Sequence, residues 1–234
     1  MANLLKTTRF TASIAFTALT ALTLAPFSAY GQATETVQKK AVNQESKLTI
    51  LSAKKINATR IDLSLSNKQS MSVDFYSPSI FRLFRDDQGG DIRNPEAKHP
   101  ASILVGQPRK PVNIIELIEN DQKVTILTQF LRLEFDKSTT LLKLVRLKDN
   151  KTLFQQLSAP SISDKEVSLT LTEHDDEYFY GGGVQNGRFS HKGKSIAIEN
   201  QNSWTDGGVA SPNPYFWSTR GYGMMFHTFK KGSY

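Results

Sequence analysis

The chain has 234 residues, 38% hydrophobic and 22% charged, enough for one sizeable core or two small ones, and no bias toward collagen, coiled coil or wholesale disorder. The formal charge of +7 is interleaved with acids, as in FRLFRDDQGGDIR, so no basic patch or stripe of the kind nucleic acid requires is expected. There is no cysteine, which excludes disulfide bonding.

Residues 1–31 read as a secretory signal peptide. MANLLKTTRF carries Lys6 and Arg9 and no acid, and TASIAFTALTALTLAPFSAY is apolar. Ala29 and Gly31 then occupy the −3 and −1 positions of a cut after Gly31. The apolar core is too short and too rich in threonine for a membrane span, so none is expected after signal removal. An uncleaved anchor is the alternative. The expected location is periplasmic or extracellular. Removal of the leader leaves 27 basic and 22 acidic side chains, a net of +5. Residues 32–47, polar and rich in Gln, Glu and Lys, read as a flexible leader.

From Leu48 the pattern changes to alternation. LTILSAKKINATRIDLSLSN reads as strands, and MSVDFYSPSIFRLFRD continues them around Ser77-Pro78. QGGDIRNPEAKHPASILVGQPRKP is a long connection. VNIIELIEND fits either a strand or a short helical turn. Val124, Ile126, Thr128, Phe130, Leu131, Leu133 and Phe135 form a strand pattern with one break. Leu142, Leu144, Val145 and Leu147 form another, ended by the turn Lys148-Asp149-Asn150-Lys151. Val167, Leu169 and Leu171 face one way on a further strand. Short alternating strands with turn signals every eight to twelve residues predict an all-β antiparallel sandwich over residues 48–234. Asn57-Ala58-Thr59 fits the glycosylation triplet, a pattern common by chance.

The chemistry-bearing residues crowd the last quarter. Gly181-Gly182-Gly183 follows an aromatic strand end, but no helix or GKS/GKT ending follows it. It reads as a close backbone passage and not as a phosphate cradle. His99, His174, His191 and His227 are well separated, with no HxxxH, so no metal site is expected. No GxSxG elbow is present. Asp175, Asp176 and Glu177 read as solvated or turn-forming. The strongest local signal is ENQNSWTDGG, Glu199 to Gly208. An indole can stack on the apolar face of a pyranose, a carboxylate accepts two hydroxyls, and amides both donate and accept. The structural alternative places Trp204 in the core and Asp206 in a turn.

These same residues carry a resemblance. Tyr180-Gly181-Gly182-Gly183, Arg188-Phe189, the Asn200/Asn202-Trp204-Asp206 loop, Pro214-Tyr215-Phe216, Ser218-Thr219 and Gly221-Tyr222-Gly223 occur in the order found in the N-terminal region of glycoside hydrolase family 31. SPSIFRLFRDD and LRLEFDKSTTLLKLVRLKDNKTLF resemble its earlier strands. The match spans about residues 48–234, and VQNGRFSHKG and WTDGGVASPNP look closest to bacterial α-galactosidase and α-N-acetylgalactosaminidase relatives. Two positions depart from the pattern: Val184 stands where the glycine turn has Glu, and Asn150 where a turn has Gly.

The resemblance implies a galactose-mutarotase-like sandwich preceding a (β/α)8 barrel, in an exported retaining α-glycosidase. Such enzymes use two barrel aspartates and no cofactor or metal. Retention places two carboxyl groups about 5 Å apart, and a barrel needs about 250 residues of its own. Neither fits before Tyr234, so no catalytic residue is expected within this sequence. FHTFKKGSY reads as a strand or its turn, which favours a fragment. The implied partners are an oligosaccharide or glycoside substrate and the barrel of the same polypeptide. The implied substrate contacts are Asn202 as amide partner, Trp204 as stacking platform and Asp206 as hydroxyl acceptor. A freestanding carbohydrate-binding module is the second reading. An aldose epimerase, with His174 or His191 meeting Glu177 or Glu199, is the third.

Overall fold

The computed structural model describes residues 6–13, 47–86, 116–162, 166–185, 190–199, 209–226 and 231–234. Among them there are sixteen strands and no helix. The first, β1 (Lys6–Ser13), falls inside the segment expected as a leader. β2 (Ile50–Lys55), β3 (Arg60–Leu65), β4 (Ser70–Ser77) and β5 (Ile80–Asp86) make a four-stranded antiparallel meander. The alternation that predicts β3 places Ile61, Leu63 and Leu65 in the core. Its ends are shaped by asparagines. The Asn57 side chain accepts from the Thr59 amide at 2.9 Å, and the Asn67 side chain from the Gln69 amide at 3.1 Å.

β6 (Glu116–Glu119), β7 (Lys123–Leu127), β8 (Leu131–Asp136), β9 (Leu142–Arg146), β10 (Lys151–Ile162) and β11 (Glu166–Glu173) continue as successive antiparallel neighbours. The break in the Val124–Phe135 pattern is the β7–β8 turn. There the Thr128 hydroxyl oxygen accepts from the amides of Phe130 at 3.2 Å and Leu131 at 3.0 Å. The hydroxyl donates to the Pro78 carbonyl at 2.6 Å, pinning this sheet to the β4–β5 turn. The VNIIELIEND ambiguity resolves as a strand because Glu116–Glu119 pairs with β7 along its length. Asn150 adopts φ 51°, the left-handed conformation that a glycine would otherwise supply.

The remaining strands are β12 (Phe179–Gln185), β13 (Ala197–Ile198), β14 (Val209–Ser218), β15 (Tyr222–Met225) and β16 (Gly232–Ser233). β12, β14 and β15 form a three-stranded sheet in the order β12-β14-β15. The large sheet has nine strands, ordered β13-β16-β1-β11-β10-β9-β8-β7-β6. One core joins all three sheets. Phe75 and Ile61 come from the small meander, Phe135 and Leu142 from the large sheet, and Phe216 and Tyr222 from the third. Burying each phenylalanine stabilises the fold by about 1.5–3 kcal/mol. The all-β antiparallel sandwich expected from alternation is the observed class.

Candidate functional site

The residues expected to meet a sugar, Asn202, Trp204 and Asp206, lie outside the described residues. The described strands on either side of them, the two stems of their connection, are β13 before and β14 after. Both stems are tied to one residue, Tyr234. Its backbone amide donates to the Ile196 carbonyl at 3.0 Å, and the Ile196 amide donates back to the Tyr234 carbonyl at 2.5 Å. Its phenol donates to the carbonyls of Asn213 and Tyr215, each at 3.1 Å. Burial pushes the pKa of that phenol up, so it stays a neutral donor.

The glycine run is a backbone passage, as its sequence suggests. Gly181, Gly182 and Gly183 have φ of 112°, 76° and 81°. A Cβ on Gly181 would sit 2.5 Å from the Tyr215 carbonyl oxygen, and one on Gly183 1.9 Å from that of Ser211. β12 and β14 therefore approach more closely than side chains allow. Val184, where the family pattern has Glu, is half exposed opposite Ser211.

His191 and Lys192, which precede β13, are fastened to β12 and to the β11–β12 turn. The His191 amide donates to the Phe179 carbonyl at 2.9 Å, and its Nε2 lies 2.8 Å from the Gly181 carbonyl. A carbonyl only accepts, so Nε2 carries the proton. Nδ1 is buried without a partner among the described residues. Lys192 Nζ donates to the carbonyls of His174 at 3.0 Å, Glu177 at 2.9 Å and Asp175. It also lies 3.7 Å from the Glu173 carboxylate and over the Tyr178 ring. One ammonium thus closes the whole β11–β12 turn.

The three acids of that turn separate. Asp175 and Asp176 are exposed, whereas Glu177 is only 1% exposed and takes the turn-forming role, its amide donating to the His174 carbonyl at 3.0 Å. Its carboxylate accepts from the Ser218 hydroxyl of β14 and from the His174 amide at 3.3 Å. Burial pushes the Tyr222 phenol well above its ordinary value, and the Glu177 charge pushes it the same way. Arg220 completes the group by donating to the Thr152 carbonyl at 2.7 Å, from Nη2. Among the described residues, no hydrogen bond or ion pair joins the ring of His174 or His191 to the carboxylate of Glu177 or Glu199, as an epimerase would need. The His191 ring meets the Gly181 carbonyl, and Glu199 lies 3.6 Å from Lys231.

Sequence reasoning missed Tyr234 as the tie between the two stems, and Glu177, Ser218 and Lys192 as the polar group at the β11–β12 turn. The only local signal was the aromatic Tyr178-Phe179 immediately after Glu177. The outer face of β12-β14-β15 carries a second feature. Tyr180 stacks on Trp217 with ring centroids 4.5 Å apart, and the Tyr215 hydroxyl lies over Gly223, 2.4 Å from where a Cβ would be. Among the described residues, no three His, Asp or Glu side chains gather as a metal site would need.

Comparison with known proteins follows from this geometry. The family model described as "Glycosyl hydrolase 31 N-terminal galactose mutarotase-like domain" matches residues 70–234. No curated protein matches the chain. Among solved structures, a GH31 dextranase of Flavobacterium johnsoniae complexed with glucose is similar at 18% identity and a TM-score of 0.65, covering 79% of this chain and 23% of its own. A GH31 α-xylosidase from Xanthomonas citri is similar at 19% identity and a TM-score of 0.56, covering 76% of this chain and 19% of its own. A cycloalternan-forming enzyme from Listeria monocytogenes, solved with a pentasaccharide substrate, is similar at 17% identity and a TM-score of 0.57, covering 79% and 19%. These likenesses show a shared fold, and the chain spans about a quarter or less of the length of each of these three structures.

Proposed function

The chain belongs to the glycosyl hydrolase 31 N-terminal galactose mutarotase-like domain family, and we propose that it is the carbohydrate-contacting N-terminal sandwich of an exported retaining α-glycosidase. In this reading it supplies a pocket loop, Asn200 to Gly208, while the catalytic acids belong to a barrel elsewhere in the polypeptide. Asp206 accepts sugar hydroxyls, Trp204 stacks on the pyranose face and Asn202 pairs through its amide. The observation that supports the reading is that Tyr234 ties the two sides of that loop together, bonding to Ile196 next to β13 and to Asn213 and Tyr215 of β14. A loop that contacts substrate needs such a frame to hold its geometry. The finer assignment, to α-galactosidase-like members, rests on the wording VQNGRFSHKG and WTDGGVASPNP alone.

The test is kinetic. In a polypeptide carrying the barrel, Trp204→Ala and Asp206→Ala should each lower kcat/KM by about tenfold or more, the equivalent of one lost contact of about 1.4 kcal/mol. Unchanged values for both would remove the loop from the site. A panel of α-galactosides, α-glucosides and α-xylosides compared by kcat/KM decides the sugar. One observation favours the second reading, a freestanding binding module: Trp217 and Tyr215 remain 44% and 42% exposed on a sheet face. Sugar affinity of the chain alone, abolished by Trp217→Ala and untouched by Trp204→Ala, would support that module.

A further inference from the structure

The sequence and the fold make opposite demands on Lys6–Ser13. As sequence, these residues open a leader with a cut after Gly31. In the fold they are β1, paired residue for residue with the whole of β11, from Lys6↔Glu173 to Ser13↔Glu166. β1 is an internal strand, with β11 on one side and β16 on the other through Thr11↔Ser233. Taking it away strips β11 of one full ladder and parts β13 and β16 from the rest of the large sheet.

β11 is poorly suited to stand as a free edge. Natural edges are blunted by bulges, prolines, inward charges or short length. The β1 side of β11 runs through eight pairs without a register shift, whereas its β10 side has two shifts. Its sequence, EVSLTLTE, has no proline or glycine. Leu171 is buried in the core and Leu169 packs against it. The charges, Glu166 and Glu173, stand only at the two ends.

We propose that the β1-facing edge of β11 is a strand-acceptor site whose resident donor is Lys6–Ser13, replaceable in trans by an extended peptide running antiparallel to β11. Backbone hydrogen bonds supply the affinity, and the period-two alternation supplies selectivity. The register places the lysine end of the donor opposite Glu173. The tethered segment outcompetes a second molecule because a linked donor acts at an effective concentration on the order of mM. Retention of the leader closes the sheet, and its removal opens an acceptor edge.

The test uses the full chain with a specific protease site at Gly31. Hydrogen exchange is followed in the intact chain, after cutting, and after the leader is separated. Once the leader is gone, the β11 amides that face β1, every second one, should exchange about a hundredfold faster or more, while those of β7 keep their protection. A synthetic peptide KTTRFTAS, added back, should restore protection. The same peptide with Arg9→Pro and Phe10→Pro should not, because of two adjacent amides one must face β11. If the stripped chain unfolds altogether, recovery of the fold with the first peptide and not the second supports the same conclusion. Protection of the β1-facing amides of β11 that survives loss of the leader, in a monomer or in a dimer, overturns the proposal, as does a peptide that restores nothing.

Discussion

The close approach of β12 to β14 can be measured with a pair of glycine substitutions. In Gly183→Ala the new Cβ would lie 1.9 Å from the Ser211 carbonyl oxygen, 2.8 Å from the Asn213 nitrogen and 2.9 Å from the Pro212 carbonyl carbon. All three are backbone atoms, so no side chain can swing clear. Ordinary contact begins near 3.4 Å, so β14 must retreat by about 1.5 Å, enough to stretch a 2.9 Å ladder bond beyond its useful length. Loss of two such bonds costs about 2 kcal/mol, and alanine at positive φ about 1–2 kcal/mol more. The expected total is about 3–4 kcal/mol. Gly193→Ala is the internal control. Gly193 also has positive φ, 64°, but nothing lies within 4 Å of its would-be Cβ. It should cost only the conformational part, about 1–2 kcal/mol. Urea denaturation of both variants reads the difference as a shift in midpoint at unchanged slope. Equal destabilisation of the two variants would refute the close passage.

Glu177→Ala should destabilise by about 3–5 kcal/mol, because it strands the Ser218 hydroxyl and a buried amide, whereas Glu177→Gln keeps an acceptor and should cost about 1–2 kcal/mol; denaturant midpoints separate the two. Arg146 holds the Asp149 carboxyl at about 2, below the ordinary value near 3.9. A depressed carboxylate stabilises the fold above its unfolded pKa, so that contribution is present above about pH 4 and fades as pH falls toward 2. Arg146→Ala should return the Asp149 titration, followed by carbon-13 NMR, to the ordinary range and flatten the stability profile over that interval.

What was legible in the sequence was whatever is local and periodic. Ile61, Leu63 and Leu65 alternate with polar neighbours, and their burial follows from period two alone. The break at Phe130 was visible because two same-face positions could not both continue one strand. Asn150 kept its turn because asparagine reaches the left-handed region that glycine occupies elsewhere. What stayed hidden depends on distant partners. Glu177, one of three successive acids, reads as solvated or turn-forming, with no sign of burial until Ser218, 41 residues later, is brought to its carboxylate. The partners of Lys192 are carbonyls, which carry no sequence signal at all. Pairing of Lys6–Ser13 with β11 joins segments more than 150 residues apart, beyond the reach of any local pattern.

The two surfaces proposed for carbohydrate differ in how their residues are held. The outer face of β14 offers Tyr215 and Trp217, yet among the described residues no hydrogen bond holds either side chain. Trp217 rests on Tyr180 and Tyr215 on Gly223. An exposed aromatic face of this kind also suits another protein surface. The loop between β13 and β14 stands on a different footing. Tyr234 bonds to both of its stems, and His191 and Lys192 lock the approach from β12. Glu177 ties the β11–β12 turn to the end of β14 through Ser218. Of these groups the phenol bears on that connection, whereas the Glu177 carboxylate and the Lys192 ammonium serve the β11–β12 turn, beside Ser218 at the far end of β14. Desolvating those groups is costly unless their geometry is held. The polar groups that the fold holds most closely thus lie at two places along β14, Tyr234 on its middle and Glu177 at its end, and the exposed rings of Tyr215 and Trp217 lie between them.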